Sequence, residues 1–317
     1  MVPTLDDIRT AAGRIGPYAH RTPVLTCASL DRRVGAQLFL KCENLQRVGA
    51  FKFRGACNAV FALTDAEAAG GVVAHSSGNH AQALALAARL RGVPAHIVMP
   101  DNAPAVKKAA VAGYGGRITF CAPTLEAREA AQARVVAATG ARVVHPYNDP
   151  MVIAGQGTAA LELLQDCPDL DVILAPVGGG GLLSGTAIAA RSLSPRIRVI
   201  AAEPEGADDA FRSLAAGRIL PSVQPRTLAD GLLTALGDLT FPIIRERVEQ
   251  IVTVSEAGIV EAMRFVWERA KLVIEPSAAV PVALLWEKKI DLSGLKVGII
   301  LSGGNVDLEQ LPWQAHS

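Results

Sequence analysis

Lys52 stands between Phe51 and Phe53, with Arg54 and Gly55 behind it. Aromatic neighbours strip solvent from an amine, and desolvation favours the neutral form over the ammonium. Only the neutral amine attacks an aldehyde, so a lysine in this setting suits a Schiff-base role. The plainer alternative is a lysine starting a helix, its ammonium in water and its stem on the phenylalanines. Residues 75–80 read His-Ser-Ser-Gly-Asn-His, between an apolar run and an alanine-rich one. Backbone N–H groups meeting at a helix start there would suit a carboxylate or phosphate, with the Ser77 hydroxyl and Asn79 amide beside them. An ordinary serine or asparagine cap is the alternative.

Gly178, Gly179, Gly180 and Gly181 also join an apolar run to a helical pattern. Consecutive glycines leave nothing between their N–H groups and an anion, and the helix dipole adds attraction, so this loop reads as a phosphate site rather than a plain turn. It is not a Walker A loop, since no Lys-Ser/Thr follows. It is not the dinucleotide fingerprint either, since Leu183 and Ser184 stand where glycine would be needed. After the last apolar run comes Ser302-Gly303-Gly304-Asn305. The serine could hydrogen-bond a heteroaromatic nitrogen while the glycines admit a flat ring, or the segment could simply turn the chain. Residues 203–209 (EPEGADD) gather oxygen ligands suited to a hard divalent cation, without EF-hand spacing; a solvated acidic turn is the alternative.

Positioning these loops requires regular elements, and the chain supplies them in alternation. Apolar runs at 37–42, 72–75, 96–99, 117–121, 171–177, 198–202, 250–254 and 296–301 predict strands. Helical patterns occupy 54–63, 79–91, 104–113, 124–139, 150–165, 182–192, 256–271 and 277–288. Alternating strands and helices imply an α/β fold with open, mostly parallel sheets covered on both faces. Units over 72–147 could form one sheet, with the first sixty residues and the C-terminal half supplying another. Ligands of such folds sit in the crevice at the carboxyl ends of strands.

The 317 residues carry a formal net charge of +1, with 50% hydrophobic and 19% charged residues. No basic excess argues for nucleic acid or an anionic membrane, and no apolar run approaches a bilayer-spanning length. The N-terminus reads as an amphipathic helix bearing Asp6 and Asp7 rather than a signal peptide. Five cysteines without CxxC spacing read as free thiols, and the six histidines show no zinc-like spacing. A cytoplasmic protein is expected.

Taken together, AFKFRGA around Lys52, SSGNHAQALA at 76–85, GGGG at 178–181 and LSGGN at 301–305 resemble the pyridoxal-phosphate enzymes of fold type II. Within that group the chain is similar to serine racemase and the serine/threonine dehydratases. GQGT at 155–158, AAEP at 201–204 and IEPSAA at 274–279 extend the likeness over essentially the whole chain. The resemblance implies a tryptophan-synthase-β-like architecture, with a large cofactor-binding domain of residues 1–66 and 149–317. A small mobile domain of residues 72–147 would be inserted on the substrate side.

It further implies that Lys52 binds pyridoxal 5'-phosphate as a Schiff base and then removes the substrate α-proton. Phe51 would lie against the ring and Asn79 would hold its phenolic oxygen. Gly178 to Gly181 would cradle the phosphate, and Ser302 would face the pyridine nitrogen without forcing its protonation. Ser76, Ser77, Gly78, Asn79 and His80 would grip the substrate carboxylate. Glu203, the Ala207 carbonyl and Asp209 match a site for Mg²⁺ (or Ca²⁺ or Mn²⁺). Arg128 matches a position able to reach a second substrate carboxylate, or is a surface helix arginine.

The activity so implied is dehydration and deamination of a small β-hydroxy amino acid, such as L-threonine or L-serine, to a 2-oxo acid and ammonia. Ser77 could act as a second acid/base, which keeps serine racemase open; threo-3-hydroxyaspartate ammonia-lyase is a further alternative. A β-replacement synthase and a non-enzymatic interaction protein fit the motifs less well. A homodimer is implied by resemblance only. The segment 47–52 (RVGAFK) departs from the RTGSFK pattern, which puts nucleotide activation in doubt. Ala81 replaces a common glycine. Thr234 stands where a small hydroxyl residue near the substrate is expected, so side-chain preference could differ. The chain ends soon after LSGGN, so a C-terminal regulatory domain is not expected.

Overall fold

Short aliphatic runs with hardly a polar break can bury both faces, and here they do so in two sheets. The computed structural model describes residues 1–314. Its strands are β1 (Val24–Leu25), β2 (Gln37–Cys42), β3 (Val72–His75), β4 (Ala95–Pro100), β5 (Arg117–Cys121), β6 (Arg142–Val143), β7 (Val172–Pro176), β8 (Arg198–Pro204), β9 (Gln250–Val254) and β10 (Lys296–Leu301). A six-stranded sheet runs β1-β2-β10-β7-β8-β9 and a four-stranded one β5-β4-β3-β6. Every pairing is parallel except that of β1 with β2. The fold is thus α/β, with two mostly parallel sheets flanked by helices. All eight expected strands are present, and their ends agree within two residues. β1 and β6 escaped the sequence because two residues show no periodicity. No helix among the described residues is long and apolar enough to cross a membrane.

The carboxyl ends of β3, β7 and β10 lead directly into the Ser76, glycine and Ser302 loops. Helix Lys52–Ala62 begins at the lysine itself, two residues earlier than the pattern suggested. It packs on helix Pro150–Asp166 through a seam without side chains: a Cβ on Gly155 would lie 2.6 Å from Gly55 Cα. The glycines of GQGT therefore serve close helix contact.

Beneath Lys52 lies a buried charge network that the sequence did not reveal. Arg54 Nε donates to Glu43 Oε2 at 2.7 Å, and Nη1 donates to Glu162 Oε1 at 2.8 Å. Lys41 Nζ closes the array on Glu162 Oε2 at 2.6 Å. Arg54, Lys41 and Glu43 are all fully buried. Each charge has partners, which is the condition for such a network to be tolerated.

Candidate active site

Lys52 is half-buried at the head of its helix. Nζ donates to the Pro146 carbonyl at 2.7 Å and lies 5.2 Å from the centroid of the Phe51 ring. Burial pushes its pKa down to about 8, against a smaller opposing pull from Glu275. An amine held there is a fair nucleophile near neutral pH, as the flanking phenylalanines suggested.

The glycine loop lies beside the Val144–Asn148 stretch that runs from the small sheet to helix Pro150–Asp166. A Cβ on Gly179 would meet the Tyr147 ring at 2.4 Å, and one on Gly181 would meet Tyr147 Cβ at 2.9 Å. Gly180 has φ of 88°, in the left-handed region that favours glycine. With Gly178 also packed against Leu232, packing alone favours glycine at all four positions, and the same absence of side chains bares the N-terminus of helix Gly181–Leu193. A helix end bared in this way suits an anion. His145 holds the stretch in place: its Nδ1 accepts from Asn148 N at 2.9 Å and Tyr147 N at 3.3 Å. The His145 and Tyr147 rings meet edge to face at 4.6 Å. Burial pushes His145 down to about 4 and His80 to about 3, so both are neutral. Sequence reasoning passed over Tyr147 and His145, because neither sits in a glycine- or serine-rich loop.

Glu275 is the second omission, although IEPSAA had been noted as a motif. Its carboxylate is buried, accepts from Asn79 Nδ2 at 3.0 and 3.1 Å, and accepts from Asn305 N at 3.1 Å. Burial, with Asp230 adding to it, raises its pKa to about 7. Asn79 Oδ1 in turn accepts from Asn305 Nδ2 at 2.9 Å. A Cβ on Gly303 would lie 2.6 Å from Glu275 Oε1, so this glycine makes room for the carboxylate. Asn79 is therefore pinned between Glu275 and Asn305, and orients its amide accordingly. Ser302 is buried at the end of β10, and its carbonyl accepts from Phe51 N at 3.0 Å.

Ser76, Ser77 and Gly78 form the half-buried loop before helix Asn79–Arg91. Its first-turn N–H groups have no intrahelical partners. The His80 ring is not among the groups on offer: it is buried, and Nε2 donates to the Val144 carbonyl at 2.9 Å. Arg128 lies near enough to His75 for its charge to help lower that histidine's pKa, after burial and against Glu129. Its Nε is buried with no hydrogen-bond partner among the described residues. This puts a cation close to the Ser76 loop.

The acidic loop lies outside this constellation. Glu203 is fully buried and accepts from Ala210 N at 2.9 Å and Phe211 N at 2.8 Å. Burial raises it to about 8. Both carboxylate oxygens of Asp209 are buried without partners. Two buried carboxyls, one of them with both oxygens unpartnered, fit a hard cation, with the Ala207 carbonyl as a third ligand. No group of three His, Cys, Asp or Glu among the described residues could hold a metal by side chains alone, so carbonyl and water ligands would be needed.

The main site fits a pyridine aldehyde phosphate: a desolvated amine, a bare helix N-terminus that no Cβ can enter, and a buried serine at the far wall. A model of the family described as pyridoxal-phosphate dependent enzyme matches residues 15–303. A beta-hydroxyaspartate dehydratase of Paracoccus denitrificans is 53% identical, with 98% of this chain and 99% of that protein covered. An L-threo-3-hydroxyaspartate ammonia-lyase of Saccharomyces cerevisiae is 52% identical over 98% of this chain and 95% of its own length. The solved structure of maize serine racemase, 49% identical, superposes with a TM-score of 0.96, covering 98% of this chain and 95% of that one.

Proposed function

The chain belongs to the pyridoxal-phosphate dependent enzymes, and on that premise we propose that it dehydrates and deaminates a small β-hydroxy amino acid to a 2-oxo acid and ammonia. The observation that carries this reading is the desolvated Lys52 amine, set within one site with the Asn79 amide and the Tyr147 ring on the glycine loop. Lys52 would hold pyridoxal phosphate until substrate replaces it, and the group would then supply an electron sink for the charge left at the α-carbon. Lys52 takes the α-proton, and the Pro146 carbonyl then receives a hydrogen bond from the resulting ammonium. Backbone N–H groups of the Ser76–His80 loop hold the α-carboxylate. The N–H groups of Gly178 to Gly181 hold the phosphate, Phe51 supports the ring, Asn79 its phenolic oxygen, and Ser302 its nitrogen.

L-threo-3-hydroxyaspartate, an alternative on sequence, ranks ahead of L-serine and L-threonine as substrate. The unpartnered Arg128 Nε beside His75 supplies a cation for a distal carboxylate. The two dehydratase relatives act on that class by name. Racemisation is the second reading, favoured by the half-buried Ser77 side chain within this loop. We also propose that residues 72–147 move as a small domain, that Glu203, Ala207 and Asp209 hold a divalent cation, and that the enzyme is a homodimer. The test is incubation of the cofactor-loaded protein with each hydroxy amino acid, assaying 2-oxo acid, ammonia and D-enantiomer. Oxo acid without inversion is expected; comparable inversion would install the racemase reading. Lys52→Ala should abolish turnover and the yellow colour of lysine-linked cofactor, and turnover surviving that change would refute the mechanism.

A further inference from the structure

The turn at 237–240, which leads into helix Thr240–Arg247, packs against the glycine loop. Thr240 is fully buried there, and a Cβ on Gly180 would come within 2.9 Å of its Cβ. Gly237 N donates to Thr240 Oγ1 at 2.9 Å, which leaves the single hydroxyl proton to be given away. The Gly179 carbonyl lies 2.8 Å from Oγ1 and the Gly237 carbonyl 3.3 Å, so the shorter contact takes that proton. The Gly179 oxygen is thereby held towards the turn. In a planar trans peptide the following N–H points the opposite way, so that of Gly180 faces away from Thr240. No protein group among the described residues accepts from the N–H of Gly179 or Gly180.

From this geometry we propose that Thr240 is a positioning residue for the cofactor phosphate, its hydroxyl locking the peptide between Gly179 and Gly180 with the N–H turned towards the anion. The inference rests on the reading that Gly178 to Gly181 hold the phosphate, and it adds the group that sets their direction. Glycine on both sides gives this peptide no Cβ to restrain it. Without an anchor it could turn over, and its carbonyl oxygen would then face the phosphate and repel it. The same turn also grips the chain beside the amine. Asn148 Oδ1 accepts from Leu239 N at 3.0 Å, and Asn148 Nδ2 donates to Asp238 Oδ1 at 2.6 Å. Two residues earlier, the Pro146 carbonyl takes the Lys52 amine at 2.7 Å. One turn therefore supports both the phosphate loop and the neighbour of the lysine.

The test titrates cofactor-free protein with pyridoxal 5'-phosphate and with pyridoxal, which has the same ring and aldehyde but no phosphate. Absorbance of the lysine-linked ligand gives both affinities. Thr240→Val keeps the side-chain shape and loses the hydroxyl, whereas Thr240→Ser keeps the hydroxyl. The valine variant should bind pyridoxal 5'-phosphate roughly 5- to 50-fold more weakly, the effect of a lost hydrogen bond that leaves a buried carbonyl unpaired. Its affinity for pyridoxal should hardly change, and the serine variant should match the parent with both ligands. Equal weakening with both ligands would mean that Thr240 merely closes its own turn, and would overturn the proposal. Unaltered affinity for pyridoxal 5'-phosphate, or a serine variant as weak as the valine one, would overturn it too. Should Thr240→Val not fold, Thr240→Ala is judged by the same ratio of affinities. A parent protein that binds pyridoxal as tightly as pyridoxal 5'-phosphate would instead remove the phosphate reading of the glycine loop.

Discussion

At the scale of single residues, burial and the Glu275 carboxylate pull the charge of Lys52 in opposite directions. The Lys52 pKa in the cofactor-free fold, about 8, lies below its ordinary 10.5. Between those values the unfolded chain binds more protons than the folded one, so stability rises as pH climbs from 8 to 10.5. Denaturant titrations of the cofactor-free protein should show this rise, and Lys52→Met should flatten it. The rate of cofactor loading should likewise increase with pH through about 8, because only the neutral amine reacts. Removing the Glu275 charge by Glu275→Gln takes away the pull that favours the ammonium, so the loading curve should move to lower pH. An unmoved curve would mean that the carboxylate does not act on the amine. Lys52 was legible because a lysine between phenylalanines is chemically unusual. Glu275 was not, because a glutamate before a proline looks like a helix cap until the fold buries it against Asn79.

Among the elements, the network under helix Lys52–Ala62 decides whether the lysine has a firm base. Arg54 meets Glu43 in full burial and Glu162 in partial burial, and since Glu162 keeps Lys41, Arg54→Leu would leave the Glu43 carboxylate facing an apolar group. A loss of about 3–5 kcal/mol is expected, measurable by urea unfolding, because an unpaired buried charge costs far more than its pair contributes. The glycine loop shows the same dependence on neighbours. Gly179→Ala drives a methyl into the Tyr147 ring and should weaken cofactor binding as well as stability, the latter by about 1–3 kcal/mol for overpacking. The regular elements themselves were legible, since strand and helix periods differ and five of the eight expected strands match at both ends. What the glycines pack against was not: the loop suggested a phosphate from sequence, and the structure adds that Tyr147 and Leu232 already exclude side chains there. The helix expected over 256–271 likewise runs into a π turn at Val266–Ala270, which pattern alone does not mark.

For the whole molecule, the movement proposed for residues 72–147 raises the question of what would bring the four-stranded sheet and its helices against the larger one when substrate binds. Helix Ala105–Gly113 reaches across: Lys107 Nζ meets Asp230 Oδ2 at 2.6 Å, on the short helical turn Asp230–Leu232. That turn abuts the glycine loop, where a Cβ on Gly178 would lie 2.9 Å from Leu232 Cα. Asp230 also raises the Glu275 pKa, while Lys107 opposes it. The pair is partly exposed, at 33% and 56% of the side chains, so it contributes little to global stability. Its place across the cleft would give it a larger part in the proposed closure. Lys107→Ala should therefore leave the melting temperature nearly unchanged and raise KM roughly 2- to 5-fold, the range of about 0.4–1 kcal/mol available to an exposed ion pair. Added salt should raise the parent KM towards that of the variant, because screening acts on the same contact. A variant whose KM equals the parent value at low salt would show that the pair is incidental to closure, and that substrate alone holds the two sheets together.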